Sequence, residues 1–479
     1  MTDRRLDHPE LIAGPNPLFE ALAPFVSMKD LPAALRNEPL AKLDWRSQLP
    51  EKREAFLVHS DQHYWPIAPH VYVAGEIQLM LRSGLVQRNP MSQDEQRRIN
   101  MLALAGNANE IICQSPKRRA CGSILSAITG LGKSTFVERA LSVLAPRQIL
   151  EHRANKACGW SKLMQVAYLL VNAPSSAARK GLFTAIIGAM DELIGSKYSE
   201  DLRRQKSIEE SMVFVHKVLS VHRVGLLVID ENQASTLAES IWGYEFVQYY
   251  LGLLNLGIPV LLVGNPLAFS ELSSTAQLLR RFATNGWHEL SPAKKADKNC
   301  WWHKEFLPGA IRFALCEAVP SLEEIQSATS DMDGGIPAIF LAIWKEGQKI
   351  ALRRGGETAR LTAKDLEVAA SSPSVKKLLD ISRAVLDGNT KAEFLDLPQR
   401  PKAAGKAGNG SAMNVDAKGR ADALRRIANQ VKRQESREKN KEGRKKALQE
   451  KLSEDDLRRG ADALSLLAGE QDDQGELEV

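Results

Sequence analysis

The chain has 479 residues, more than a single hydrophobic core usually supports, so we expect two to four domains. Hydrophobic residues make up 44% and charged residues 25%, as in soluble proteins, and no apolar run approaches the ~20 residues of a membrane-spanning helix. The N-terminus lacks the apolar stretch of a secretory signal, which predicts a cytoplasmic protein without a membrane partner.

The N-terminal region, residues 1–110, shows no catalytic pattern. It contains a short apolar element at residues 16–25 and a longer apolar stretch at 72–85.

The strongest motif lies at residues 127–135, which read Ala-Ile-Thr-Gly-Leu-Gly-Lys-Ser-Thr between a strand-like run at 123–126 and a helix-like run at 136–144. A glycine-rich turn between a strand and a helix can wrap backbone N–H groups around a phosphate, with Lys133 on the β/γ oxygens and Ser134 on Mg²⁺. The predicted nucleotide-binding residues are Gly130, Leu131, Gly132, Lys133, Ser134 and Thr135. Ala127 replaces the first glycine of the usual pattern, which requires that this residue have no positive φ. The alternative is a glycine turn that opens an ordinary helix.

A second motif closes the apolar run at residues 224–231, which is typical of a central strand in a parallel sheet. Asp230 can hold Mg²⁺ through water, and Glu231 can polarise the water that attacks the nucleotide. A solvated strand end is the alternative interpretation, which the upstream loop disfavours.

Two further positions follow in the chain. A strand at 258–264 ends at Asn265, and a predicted helix at 272–281 ends at Arg280 and Arg281 before another strand-like stretch at 282–290. This arrangement resembles AAA+ ATPases, in which the asparagine would position water and an arginine would reach a neighbouring subunit's site as a finger. Asn265 could instead be a turn residue before proline, and the arginines a solvated pair at a helix C-terminus.

The C-terminal third divides into a helical region, a linker and a charged arm. Helical patterns at 336–352 and 362–370 indicate a lid, and residues 398–412 are rich in Gly, Ala and Pro. From 418 to 459 there are 15 Lys/Arg against 8 Asp/Glu, and a short amphipathic helix is predicted between 453 and 469, with Leu457, Ala461 and Leu464 on one face. We interpret this helix as a hook for a protein partner, the alternative being a helix that folds back on its own protein.

The five cysteines are scattered and contain no C-x-x-C pair, so neither a disulfide framework nor a zinc site is favoured. Cys300 and His303 could share a metal ion but lack a second pair of ligands. The net charge of +6 permits nucleic-acid binding without proving it.

Several segments together resemble TnsC, the AAA+ regulator of heteromeric cut-and-paste transposons, of which TniB and MuB are shorter relatives. The segments that carry the resemblance lie at residues 16–24, 66–70, 82–90, 225–233 and 257–266. The chain departs from the family pattern at Ala127, at Asn232, and at 334–337, where many AAA+ lids offer a sensor arginine.

The resemblance implies an α/β AAA+ P-loop NTPase with a parallel sheet core, a helical lid and a charged helical or disordered C-terminal arm. Its implied divisions are an N-terminal region that packs on the core and binds a partner (1–110), a nucleotide-binding core (111–295), a lid (296–390), a linker (391–417) and an arm (418–479).

The family further implies an ATPase that uses ATP and Mg²⁺ to assemble a homo-oligomeric ring or filament on duplex DNA. It would connect a target-selecting protein to a transposase and its nuclease subunit. Its DNA contacts would be to the phosphate backbone and insensitive to sequence. The candidate basic residues are Lys156, Lys162, Arg179 and Lys180, each of which could also be an ordinary surface charge.

Two other classes of function remain open from the sequence. A translocating, helicase-like ATPase would need further nucleic-acid motifs after the 258–264 strand, and we see none. A nucleotide-switch scaffold that binds ATP but barely hydrolyses it is suggested only by Ala127.

Overall fold

The structure is a computed structural model that describes residues 14–107, 110–111, 120–174, 179–232, 243–269, 280 and 282–386. The predicted linker and C-terminal arm, and the predicted helix at 272–281 apart from Arg280, lie outside these residues.

A five-stranded parallel sheet forms the centre of the protein. Seven strands are present in the described residues: β1 Gly122–Ala127, β2 Ile149–His152, β3 Leu163–Val166, β4 Leu169–Asn172, β5 Leu227–Asn232, β6 Val260–Gly264 and β7 Trp287–Leu290. The strand order in the main sheet is β4-β5-β6-β1-β7, and every neighbouring pair is parallel. Strands β2 and β3 form a separate antiparallel hairpin.

Helices surround this sheet. They are, in chain order, α1 Pro17–Glu20, α2 Leu31–Leu35, α3 Pro50–Ala55, α4 Ala68–Gln87, α5 Gln93–Leu104, α6 Lys133–Leu144, α7 Arg179–Ile194, α8 Tyr198–Arg204, α9 Ile208–Val221, α10 Gly243–Asn255, α11 Leu307–Ala310, α12 Leu322–Thr329, α13 Pro337–Gly355, α14 Ala363–Ala370, α15 Pro373–Lys376 and α16 Leu378–Leu386. A π-helical turn, Trp302–Phe306, precedes α11. No described helix is long and apolar enough to cross a membrane.

Both faces of the sheet are covered by apolar side chains. Successive side chains of a strand point to opposite faces, and the strands divide their residues accordingly between two hydrophobic clusters. Leu261 and Val263 of β6 belong to the cluster that contains residues of α4, α6 and the helices α12 to α16. Val260 and Leu262 belong to the cluster that contains residues of α7, α9 and α10. Burial on both faces explains why these strands read as continuous apolar runs. The predicted α/β P-loop NTPase fold is confirmed.

The apolar stretch at residues 166–171, which as a sequence looks like one strand, does not form a single element. The chain ends β3 at Val166 and begins β4 at Leu169, and the two strands belong to different sheets. The Ala167 N–H donates to the Gln148 carbonyl at 2.8 Å, and the Leu169 N–H donates to the Leu226 carbonyl at 2.8 Å. The backbone partner therefore changes within three residues, which an apolar pattern does not reveal.

Other predicted elements are present with shifted ends. The strand predicted at 282–290 is reduced to β7, since Phe282 is helical. The helix predicted at 362–370 forms as α14, where the Thr362 side chain accepts from the Asp365 N–H and the Asp365 carboxylate accepts from the Thr362 N–H. This reciprocal capping satisfies two backbone donors at the start of the helix.

The N-terminal region packs on the sheet domain through buried polar contacts. The Asn16 amide donates to the Leu85 carbonyl at 2.8 Å, and the Gln165 amide donates to the Leu18 carbonyl at 2.9 Å. The first contact connects the start of α1 to α4, and the second connects α1 to β3.

A buried ionic cluster also joins the N-terminal region to the turn before β5. Glu95 of α5 accepts from Arg98 at 2.6 Å and from Arg223 at 2.5 Å, and all three side chains are at least nine-tenths buried. Burial opposes ionisation of Glu95, but the guanidinium groups of Arg98 and Arg223 outweigh it and hold the pKa of Glu95 below its usual value. The cluster connects α5 to the strand that carries the acidic pair.

Candidate nucleotide-binding site

The glycine-rich turn connects the end of β1 to the start of α6. Gly130 has φ +90° and Gly132 has φ +78°, a left-handed backbone region that favours glycine. Gly132 is the N-cap of α6, so the N–H groups of the first turn and the positive end of a 12-residue helix lie at this turn. The predicted glycine-rich turn between a strand and a helix is therefore present, and a helix N-terminus of this kind is suited to anions.

Ala127 satisfies the condition that its side chain imposes. It is the last residue of β1 and is fully buried. Its φ is not positive; among the described non-glycine residues, a positive φ is found at Arg223, with +49°. The loop consequently needs no glycine at this position.

Lys133 and Asn265 meet although they are 132 residues apart in sequence. The Lys133 ammonium lies 3.0 Å from the Asn265 side-chain oxygen and 3.4 Å from the Ile128 carbonyl. Strand order explains the contact, because β6 lies beside β1 with Ser126 paired to Gly264, and Asn265 follows directly. The two predicted residues are thus brought together at the carboxyl edge of the sheet.

The acidic pair lies on the next strand, at an irregularity. Ile229 pairs with Leu262, but Asn232 pairs with Gly264, so β5 contains one more residue than β6 over this interval. Such bulges re-aim side chains and are frequent beside active sites. Asp230 is buried, and its carbonyl accepts from the Ala173 N–H at 2.7 Å. The backbone of Glu231 is part of β5; its side chain lies outside the description.

The structure also gives the local positions of most of the other candidate residues. Arg280 is exposed and helical, whereas Arg281 lies outside the described residues. Lys156 and Lys162 are exposed on the loop of the β2–β3 hairpin, and Arg179 and Lys180 form the first turn of α7. Cys300 is half-buried, and the His303 ring donates to the Lys295 carbonyl at 2.9 Å, while no group of three metal-ligating side chains occurs in the described residues.

The lid contacts the phosphate loop, a feature that the sequence did not predict. The Ala338 N–H in the first turn of α13 donates to the Gly130 carbonyl at 3.1 Å. A Cβ added to Gly130 would lie 2.8 Å from the Ile336 side chain. The preceding turn is fixed by Asp333, which is fully buried, binds Lys295 at 3.0 Å and accepts from the Gly335 N–H at 2.8 Å. The sequence did contain one signal of this turn, the glycine pair Gly334-Gly335, because glycine favours the positive φ that both residues adopt.

A cavity of about 310 Å³ lies beside the phosphate loop and was also missed. Its apolar walls come from the N-terminal region, the loop and the segment after β7: Ile67, Pro69, Leu131, Leu290, Pro292 and Trp301. Its polar walls are His70, Glu289, Ser291, Lys294 and Asp297. The volume is at the small end of the range for ligand pockets, and an apolar wall with a few polar groups is typical of them. The segment at 66–70 was noted in the sequence without a role, and here it forms one wall.

Comparison with known proteins gives a family for the central segment. Residues 101–291 match the family described as "Bacterial TniB protein". Over these residues the chain is TniB-like. The resemblance to TniB/TnsC-type transposition regulators is thereby confirmed, and no curated protein matches the chain.

Three solved structures are distantly similar in fold. The Aeropyrum pernix Orc1 protein in complex with DNA is 15% identical, with 60% of this chain and 69% of that chain covered and a TM-score of 0.35. Cdc6p from Pyrobaculum aerophilum is 14% identical, with 58% and 65% covered and a TM-score of 0.37. The Aeropyrum pernix ORC2 protein, in ADPNP-ADP complexes, is 13% identical, with 59% and 77% covered and a TM-score of 0.37. These likenesses are too distant to bear on function.

Proposed function

We propose that this TniB-like protein is an ATP-dependent regulator of DNA transposition that assembles as a ring or filament on duplex DNA. In this role it couples a target-selecting protein to the recruitment of transposase and nuclease subunits. The observation that carries the nucleotide-dependent part is the contact of Lys133 with Asn265, next to the strand that bears Asp230 and Glu231.

Each residue of this edge has a chemical role in the proposal. The N–H groups of residues 130–135 bind phosphate oxygens, and Lys133 exchanges the Asn265 oxygen for the β/γ oxygens of ATP. Asn265 is then free to orient water, which Glu231 deprotonates as it attacks the γ-phosphorus; the bond to the bridging oxygen breaks, and ADP and phosphate are released. Arg280 or Arg281 reaches the site of a neighbouring copy and stabilises the charge that develops there.

Oxygen ligands suited to Mg²⁺ lie at the same edge. The Ser134 hydroxyl is on the first turn of α6 and the Asp230 carboxylate is on β5, and Mg²⁺ prefers oxygen donors of these kinds. When bound, Mg²⁺ would neutralise charge on the phosphate oxygens. Ser134 and Asp230 would hold it, directly or through water.

The proposal assigns DNA binding to basic side chains, of which Lys156, Lys162 and Lys180 are exposed and Arg179 is half-buried. Lys156 and Lys162 project from the β2–β3 hairpin loop, and Lys180 lies at the start of α7 with Arg179. Contacts from such residues to phosphates give affinity without sequence preference.

A nucleotide switch with little hydrolysis is not favoured by the loop. The only hint for it was Ala127, and Ala127 has a backbone conformation that needs no glycine. We therefore retain hydrolysis in the proposal.

Electron microscopy of the full chain with duplex DNA tests the assembly. Rings or filaments are expected with DNA and a non-hydrolysable ATP analogue together, and absent when either is omitted. Lys133→Ala is the matched control, because it removes a phosphate ligand and leaves the hairpin lysines in place. Assemblies of equal abundance without nucleotide would contradict ATP dependence.

A further inference from the structure

The first turn of α13 supplies a backbone donor to the phosphate loop. In an α-helix the first four N–H groups have no acceptor within the helix, so each needs a partner from outside. Ala338 is the second residue of α13, and its N–H donates to the Gly130 carbonyl at 3.1 Å. The lid therefore binds the loop through an N–H that the helix itself does not use.

This close approach depends on the missing side chain of Gly130. A Cβ there would lie 2.8 Å from the Ile336 side chain and 3.4 Å from that of Ala338. Ile336 is fully buried, so its own packing holds it against the loop. Glycine at position 130 thus serves the contact with the lid as well as the positive φ of the turn.

The turn that precedes α13 is anchored to the sheet domain. The Lys295 ammonium donates to both oxygens of the Asp333 carboxylate at 3.0 Å, and the Ala293 N–H donates to the Gly335 carbonyl at 3.1 Å. Ala293 and Lys295 belong to the segment that follows β7, and β7 pairs with β1, the strand that leads into the loop. The start of α13 is thus attached close to the strand that carries its hydrogen-bond partner.

The hydrogen bond to Gly130 also fixes the direction of the next N–H along the chain. The peptide between residues 130 and 131 is planar and trans, so its C=O and N–H point in opposite directions. Because the Gly130 carbonyl points at α13, the Leu131 N–H points away from the lid. Among the described residues, this N–H has no hydrogen-bond acceptor. In a glycine-rich turn at a helix N-terminus, such an N–H is a donor for a phosphate oxygen.

We propose that Ala338 is a positioning residue for phosphate binding, whose N–H holds the 130–131 peptide so that the Leu131 N–H faces the phosphate oxygens of ATP. This proposal rests on the proposed binding of ATP at the phosphate loop. The lid and the loop then bind phosphate as one unit. When α13 detaches from Gly130, the peptide is free to rotate and the affinity for phosphate falls.

A backbone ester at position 338 tests the contact without altering a side chain. Lactic acid in place of Ala338, introduced into the full-length protein by nonsense suppression, replaces the N–H by oxygen and retains the methyl group. Inorganic tripolyphosphate should bind this variant about fivefold more weakly than wild type, the loss typical of one hydrogen bond. ATP should lose the same factor, because the contact acts on phosphate alone. Wild-type affinity for both ligands would overturn the proposal.

The matched control is the α-hydroxy analogue of isoleucine at position 339. The Ile339 N–H donates within the lid, to the Ile336 carbonyl at 3.2 Å, so its ester weakens the same turn of α13 without losing a bond to the loop. This control should lower the free energy of unfolding and leave tripolyphosphate affinity unchanged. Ala338→Ser, which retains the N–H, should also bind as wild type does. Equal losses of affinity in the two esters would overturn the proposal, since a loosened helix start would explain both.

Hydrogen exchange in the unmodified protein is a second test, which holds even if the esters do not fold. Coupling between two contacts is reciprocal, so phosphate on the loop must strengthen the bond between Ala338 and Gly130 by the factor that this bond contributes to binding. Saturating tripolyphosphate should therefore slow exchange of the Ala338 N–H about fivefold. An unchanged exchange rate would contradict the role of Ala338.

Lys133→Ala separates this proposal from the phosphate site itself. Tripolyphosphate binding should be lost in this variant, and normal affinity there would contradict the proposed nucleotide site. Absence of tripolyphosphate binding in the wild type would contradict both proposals. Loss of binding in Lys133→Ala with wild-type affinity in the ester at position 338 would contradict only the role of Ala338.

Discussion

At the scale of single residues, the contact of Lys133 with Asn265 shows how topology assembles a site. Neither residue has a local reason to meet the other, and only the placement of β6 beside β1 brings them to 3.0 Å. The sequence predicted both residues, because each follows an apolar strand-like run. Their hydrogen bond could not be predicted, since it depends on side-chain reach across two strand ends.

The first prediction separates binding from hydrolysis at this edge. Lys133→Ala should abolish nucleotide binding, because it removes the cation that meets the β/γ oxygens. Glu231→Gln should bind ATP normally and hydrolyse it ~10²–10⁴-fold more slowly, the usual contribution of a general base. Nucleotide titrations and steady-state phosphate release measure the two effects. Wild-type turnover in Glu231→Gln would exclude Glu231 as the base.

The second prediction uses two glycines of the phosphate loop as a matched pair. Both have positive φ, so alanine at either position costs about 1–2 kcal/mol in backbone strain. A Cβ at Gly130 would also lie 2.8 Å from the Ile336 side chain, whereas one at Gly132 would meet nothing within 4 Å. Gly130→Ala should therefore lower the free energy of unfolding more than Gly132→Ala, in urea without nucleotide.

The lid contact gives this second prediction its control. In an Ile336→Ala background the clash partner is removed, so the difference between the two alanine variants should nearly disappear. A difference that persists in this background would show that the extra cost does not arise from the lid.

At the scale of elements, the limits of sequence-based prediction follow from long-range pairing. The paired glycines of the loop and the capped start of α14 are local features, and both were predicted from neighbouring residues. The division of residues 163–172 between two sheets depends on partners at Gln148 and Leu226, which no local pattern specifies. The cavity could not be predicted for the same reason, because its walls come from three segments that are far apart in the sequence.

The third prediction concerns the buried cluster that joins α5 to the turn before β5. Glu95→Gln leaves Arg98 and Arg223 buried without a carboxylate, so it should destabilise the protein by about 3–5 kcal/mol. Asp201→Asn is the control, since its pair with Arg204 is exposed and should contribute only about 0–1 kcal/mol. Urea unfolding at neutral pH measures both variants, and equal effects would contradict a structural role for the cluster.

The same cluster predicts a dependence of stability on pH. The pKa of Glu95 is lower in the folded protein than its ordinary value of 4.5, so the unfolded state binds the proton more readily. The stabilisation is fully present above about pH 4.5 and is lost as the pH falls through the lower, folded-state pKa. Wild-type stability should therefore fall more steeply than that of Glu95→Gln below about pH 4.5. Parallel acid profiles would show that Glu95 contributes no such linkage.

At the scale of the whole molecule, the chain carries two separate sets of positive charge. One comprises the exposed lysines of the β2–β3 hairpin loop, which belong to the folded domain. The other is the arm at residues 418–459, with 15 Lys/Arg and 8 Asp/Glu, which lies outside the described residues. We propose that the first set, together with Arg179 and Lys180, binds DNA, and that the amphipathic segment at 453–469, which overlaps the end of the second set, recruits the partner.

The fourth prediction distinguishes the two sets by the salt dependence of DNA affinity. Each phosphate contact releases about one counterion, so a variant that loses n contacts should show a slope of log K against log salt that is shallower by about 0.9n. Lys156→Ala/Lys162→Ala should weaken duplex binding and reduce the slope by about 2, equally for unrelated DNA sequences. Deleting residues 417–479 should leave both affinity and slope nearly unchanged but weaken transposase recruitment, because a tethered helix acts by raising local concentration. A large fall in affinity and slope on truncation, with little change in the hairpin variant, would transfer the DNA contacts to the arm.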